Sequence, residues 1–179
     1  MKKFGMILAV ALVGVLAVSS SSQAVMGVGV DWFGTSSGDA LMVLPIKMAS
    51  GMIIEPMAGF AKINEHASES GYGETYITVG LRVEKAQKQE GASALWGACA
   101  AVDLSSVDLP SGNDAKSSFT DFMFGVYLGG SVPIADGLDL TGRWGPKVEA
   151  IGKRSDDGDG ATNFGSMASL TFRWWVFGN

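Results

Sequence analysis

One histidine, one cysteine and a set of isolated charges are the residues of this 179-residue chain whose types permit chemistry. His66 is the sole candidate for imidazole proton transfer, with Glu65, Ser68, Glu69 and Ser70 around it in "NEHASES". Acid–base or nucleophilic catalysis needs a base held within hydrogen-bond reach of its partner. Neighbours along a loop offer no such fixed geometry, so no catalytic residue is assigned and an enzyme is not expected. "SDDGDGATN" at 155–163 has the acidic density of a calcium loop. An EF-hand count from Asp157 requires a bidentate Glu where the chain has Ala168. A solvated acidic loop fits better, and no metal or other cofactor is assigned. Cys99 has no intrachain partner for a disulfide and reads as a small filler. "GVGVDW" is followed by no helix pattern, so it is not a dinucleotide fingerprint.

The isolated charges carry more information. Lys47, Arg82, Arg143, Lys147 and Arg173 can be set against Asp31, Glu55, Glu84, Asp103, Asp121 and Glu149. Each stands among small or apolar residues, and several recur two apart, as in Arg82/Glu84 and Lys147/Glu149. If one enclosed space collects them, the charges must be paired and hydrogen-bonded there. They then form either a salt-bridge network that fills the space or a narrow, gated path for ions.

The elements that would position them alternate with period two. From Phe164 the even positions read Phe164, Ser166, Ala168, Leu170, Phe172, Trp174 and Val176; the odd ones read Gly165, Met167, Ser169, Thr171, Arg173 and Trp175. One face is largely apolar and the other small or polar, which is the signature of a strand between unlike environments. The pattern predicts strands near 25–33, 41–49, 52–63, 75–87, 95–105, 118–132, 138–153 and 164–177. Their apolar faces include Met42/Leu44/Ile46/Met48, Leu81/Val83, Trp96 and Phe122/Phe124/Val126/Leu128. The isolated charges and many glycines fall on the opposite faces. Short connections at 50–51, 90–94 and 135–137 alternate with longer, Gly/Ser/Asp/Asn-rich ones at 34–40, 66–74, 106–117 and 154–163. An even number of antiparallel strands with short turns at one end and long loops at the other describes an up-and-down transmembrane β-barrel. A soluble sandwich would alternate too. The glycine-rich, charged face suits a narrow lumen better than an open surface, and the aromatic residues lie near strand ends, where an interfacial girdle belongs. Pro45, Pro56 and Pro146 lack ladder donors and should mark bulges or rims; Pro133 sits beside a turn.

Residues 1–24 read as a cleaved signal peptide, with Lys2 and Lys3, an apolar run from Phe4 to Val18, and Ser22-Gln23-Ala24 at the cleavage site. That run is shorter than the ~20 residues of a spanning helix. Residues 25–179 form one domain. It carries a net charge of −7, against −5 for the whole chain. This excess of carboxylates repels phosphates, so nucleic acid is excluded as a partner.

The eight-stranded layout, "MGVGVDWF" at the start and "LTFRWWVF" at the end together resemble the small outer-membrane barrels of the OmpA/OmpX family. The resemblance covers Val25–Phe177 and is one of pattern. It implies a monomer in the outer membrane of a Gram-negative-type bacterium, with a structural or surface-interaction role and lipids and lipopolysaccharide as its surroundings. A small pore or transporter is the alternative, and a secreted soluble ligand-binding barrel a more distant one. In that family the final strand is read by the barrel-assembly machinery. Leu170, Phe172, Trp174 and Val176 match its lipid-facing side, while Phe177 falls on the wrong parity and Gly178-Asn179 trail after it.

Overall fold

The computed structural model describes residues 24–33, 40–65, 72–108, 118–153 and 159–177. Nine strand segments follow one another: β1 (Val25–Phe33), β2 (Ala40–Val43), β3 (Ile46–Lys47), β4 (Met52–Glu65), β5 (Tyr72–Gln89), β6 (Ala92–Asp108), β7 (Ser118–Ala135), β8 (Leu138–Ile151) and β9 (Ala161–Phe177). β2 and β3 are two pieces of one stave, since each pairs with β1 on one side and β4 on the other. All pairings are antiparallel neighbours in sequence, and β1 pairs with β9 to close the sheet. The result is a closed eight-stranded antiparallel β-barrel. Five strands run two or three residues further than the alternation predicts at one or both ends, whereas β3 stops at Lys47 and β8 at Ile151, each two residues short. At the short-turn end, Gly51, Gly91 and Gly137 take positive φ in tight turns, a conformation that residues with a Cβ adopt only with strain. Residues 1–23 of the predicted signal peptide, His66 and residues 154–158 of the acidic loop lie outside the described residues.

The prolines depart from expectation in an instructive way. Pro45 does mark a break, between β2 and β3. Pro56 does not: it sits inside β4 opposite Leu81 with the register continuous. Its carbonyl accepts the Leu44 N–H at 3.0 Å. In an antiparallel ladder a residue's N and O point to the same neighbour, so Pro56 withholds only the reciprocal bond to Leu44, and the pairing with β2 and β3 is interrupted there without a change of register. Pro146 also lies mid-strand, opposite Ser166. The β7–β8 ladder skips there, between Gly125↔Lys147 and Leu128↔Trp144, without changing register. The register shifts occur elsewhere, at Pro133/Ala135 and at Met26/Gly27. The second of these breaks the parity count along β9: Gly27 stands opposite Trp175, but Met26 stands opposite Phe177.

Backbones approach closely at the β7–β8 skip. A Cβ on Gly145 would run into the Val126 carbonyl oxygen and the Tyr127 Cα. Backbone cannot give way as a flexible side chain does, so Gly145→Ala is expected to destabilise the barrel by about 1–3 kcal/mol. Urea unfolding in lipid vesicles followed by tryptophan fluorescence measures this, and an unchanged midpoint would refute the close approach.

The two faces of the sheet separate strongly. Val28, Trp32, Leu81, Phe124, Leu128 and Trp144 are among many large apolar side chains exposed on the outside. Trp32 and Phe172 stack edge-on there, with centroids 5.8 Å apart. One outward expectation fails: Ile46 is fully buried. It follows the break and stands between its register partners Met26 and Ile54. The inside is also less uniform than the alternation implied. Leu41, Val43, Met57, Met123, Tyr127 and Met167 point inward with the charges and glycines. A narrow barrel must be filled by side chains of whatever chemistry fits.

Candidate functional site

Period-two geometry places Arg82 and Glu84 on one face of β5, and the same inward face receives Asp31 from β1, Glu55 from β4, Arg143 from β8 and Arg173 from β9. These six side chains meet in the lumen, where each residue is at least 95% buried. Arg82 pairs with both Asp31 and Glu55. Arg173 spans Glu55 (Nε–Oε2 2.6 Å) and Glu84 (Nη2–Oε1 2.5 Å). Arg143 grips Glu84 through Nε at 2.8 Å and Nη2 at 3.2 Å, and donates from Nη1 to the Thr171 hydroxyl at 2.6 Å. Three guanidinium groups thus neutralise three carboxylates. Their planar forks allow each arginine to bridge different strands at once. The bonds Arg82–Asp31, Arg173–Glu84 and Arg143–Glu84 join strands that are not ladder neighbours, so they brace the barrel across its width.

Tyr127 completes the cluster. Its hydroxyl donates to Glu84 Oε2 at 3.0 Å, and its ring lies 5.7 Å from the Arg143 Cζ and 6.0 Å from the Arg82 Cζ. The charge pattern alone passes over this residue and over Thr171. Parity would have found both, since Tyr127 alternates with the outward Val126 and Leu128, and Thr171 with Leu170 and Phe172.

The remaining charged candidates lie apart, toward the two mouths. At the short-turn end the Lys47 ammonium sits 5.7 Å from the Trp175 ring, and Trp175 Nε1 donates to Asp139 at 2.8 Å. A cavity of about 400 Å³ opens there between Lys47, Met48, Gly51, Asp139 and Trp175. At the long-loop end Asp103 accepts from the Thr78 hydroxyl at 2.6 Å and stands opposite Asp121 in the ladder. Asp121 accepts the Gly152 N–H at 2.8 Å, and Lys147 pairs with Glu149. Among the described residues, no group of three or more His, Cys, Asp or Glu is placed to hold a metal ion. On β9, Leu170, Trp174 and Val176 are exposed outward and Phe172 is half-buried beside Trp32.

Chemically the arrangement can lock strands together through buried ion pairs whose charges are balanced within the cluster.

No family model matches this chain, and no curated protein sequence does. Solved structures resemble it in three dimensions. Neisserial surface protein A (NspA) aligns with a TM-score of 0.51 and 16% identity, over 87% of this chain and 98% of that one. A major outer membrane protein from Thermus thermophilus aligns with a TM-score of 0.48 and 12% identity, over 84% and 99%. At such identities the likeness to the neisserial protein is one of fold: this chain is built as the same kind of small, closed eight-stranded barrel.

Proposed function

We propose that this chain is an outer-membrane β-barrel of the OmpA/OmpX type, with a structural or surface-interaction role and a lumen plugged by the arginine–carboxylate cluster. The observation that carries the reading is the inverted distribution of polarity. Ion pairs fill the interior while large apolar side chains from all eight staves stand exposed on the outside, where a soluble monomer carries them singly or in small patches. A bilayer is the surroundings that such a surface matches. Residues 1–24 would export the chain as a cleaved signal peptide, leaving residues 25–179 as the barrel of a Gram-negative-type outer membrane. Outer-membrane lipids and lipopolysaccharide would surround it as a monomer, and the barrel-assembly machinery would read the outward face of β9 at Leu170, Phe172, Trp174 and Val176. The resemblance in the neisserial fold supports this placement, since that protein is named for the cell surface.

The protein is expected to pellet with outer membranes and to show heat-modifiable gel mobility, because a closed ladder resists SDS until boiled. Release by a carbonate wash would refute the location. In planar bilayers the plugged lumen should give no steady conductance, whereas robust channels from the unmutated protein would favour a pore.

A further inference from the structure

At the short-turn mouth the inward faces of the strands leave space instead of filling it. By strand parity Lys88 follows Arg82 and Glu84 on β5, Ser131 follows Tyr127 on β7, and Trp175 follows Arg173 on β9. Asp139 shares the face of Arg143 on β8, and Lys47 of β3 stands opposite Ile53, two residues before Glu55. All five therefore project toward the lumen on one side of the charge cluster. Two cavities open there, of about 360 and 400 Å³, and Lys47, Gly51 and Asp139 line both. Each falls within the roughly 300–1,000 Å³ of small-molecule sites. Lys47 and Asp139 carry opposite charges on the same cavities, yet they do not pair as Lys147 and Glu149 do at the other mouth. Trp175 engages each separately: the Lys47 ammonium lies 5.7 Å from the ring centroid, and Asp139 accepts the indole N–H at 2.8 Å. Among the described residues neither charge has an ion-pair partner. Ser131, on the wall of the smaller cavity, is only 7% exposed. It accepts the Thr141 hydroxyl at 2.9 Å, which leaves its own O–H for the cavity.

We propose that this mouth is a binding site for a small zwitterion, a molecule carrying one ammonium and one carboxylate as amino acids and short peptides do. The ligand carboxylate meets the Lys47 ammonium, with Lys88 and the Ser131 hydroxyl as further donors on the wall of the smaller cavity. The ligand ammonium meets Asp139, whose second oxygen is left over from its bond to Trp175. Charge-assisted hydrogen bonds of this kind are the stronger ones. A simple anion answers Lys47 but is repelled by Asp139, and a simple cation meets the reverse. A zwitterion satisfies both wall charges and adds no net charge beside a cluster that is already neutral. No bond is made or broken, and the inference holds for the closed barrel wherever it is located.

The test is isothermal titration calorimetry of the barrel folded in a non-ionic detergent, which brings no zwitterion of its own. Glycine, γ-aminobutanoate and alanyl-alanine are the probes; they space the two charges differently and separate free amino acids from short peptides. At least one should bind in one equivalent with a Kd of about 1 mM or tighter. Butanoate and butylamine, which keep one charge each, should bind about tenfold or more weakly than the best zwitterion, the effect of losing a hydrogen bond to a charged group. Lys47→Met and Asp139→Asn should each weaken zwitterion binding by about tenfold or more, while both variants keep the heat-dependent gel shift of the folded barrel. The proposal is overturned if no zwitterion binds at that level, or if butanoate or butylamine binds as tightly, readings that need no variant. It is equally overturned if either folded variant binds the zwitterion as the parent does, since the ligand then sits elsewhere.

Discussion

Arg82→Ala should destabilise the folded barrel by about 3–5 kcal/mol, the cost of leaving a buried charge without its partner. Asp31 is the residue stranded: it is fully buried, and Arg82 is the arginine that pairs with it. Glu55 suffers less, because Arg173 still holds its Oε2. This asymmetry yields a sharper test than the single variant. Replacing both partners by apolar residues of similar size removes the desolvated charges together, which is often close to neutral. Arg82→Met combined with Asp31→Leu should therefore recover most of the loss. Urea unfolding in lipid vesicles, read by the fluorescence of the five tryptophans, measures both. A single variant as stable as the parent, or a double variant no better than the single, would mean that the cluster does not brace the barrel as its geometry implies. In planar bilayers the single variant should also show brief openings that the parent lacks.

Val126→Arg should cost about 2–4 kcal/mol, the penalty for an arginine on the lipid face near the bilayer midplane. Val126 is 46% exposed on the outside of β7, between Phe124 and Leu128, which are exposed as well. Its chain neighbours Gly125 and Tyr127 face the lumen, so a side chain here has no route to the interior ion pairs. Leu81→Arg on β5, 45% exposed, should behave alike. The comparison that isolates the bilayer is the same pair of variants in short-chain detergent micelles, where water reaches the barrel wall and the penalty should shrink. An arginine that folds as well as valine in bilayers would reverse the assignment of faces on that strand.

The alternation of side chains carried most of the architecture. In β7, Phe122, Phe124, Val126 and Leu128 against Gly125 and Gly129 define a face without any tertiary information, because successive side chains of a strand must point to opposite sides. The same rule put Arg82 with Glu84 on β5 and assigned Arg173 a face opposite Phe172 and Trp174. The alternation of short and long connections then required antiparallel neighbours and, with eight staves, closure. These are local constraints, readable wherever the period is unbroken.

What the sequence could not supply begins where the period breaks or where the barrel is crossed. Ile46 shows this: the register runs unbroken past Leu44–Pro45, yet the side chain is fully buried beside its cross-strand partners Met26 and Ile54, and the slip of the β1–β9 ladder at Met26/Gly27 is likewise visible only in the backbone pairing. Pro56 sits mid-strand because its missing donor faces Leu44 while its ladder to β5 stays continuous, a division between two neighbours that the sequence does not show. Partner choice inside the lumen lies further still from local pattern. Eleven charges share the inward faces, yet six of them, with Tyr127, form one neutral cluster, while Lys47 and the Asp103–Asp121 group are left at opposite mouths. Period two decides which way a side chain points, but the tilt and stagger of a closed barrel decide its height in the lumen, and height decides which arginine reaches which carboxylate.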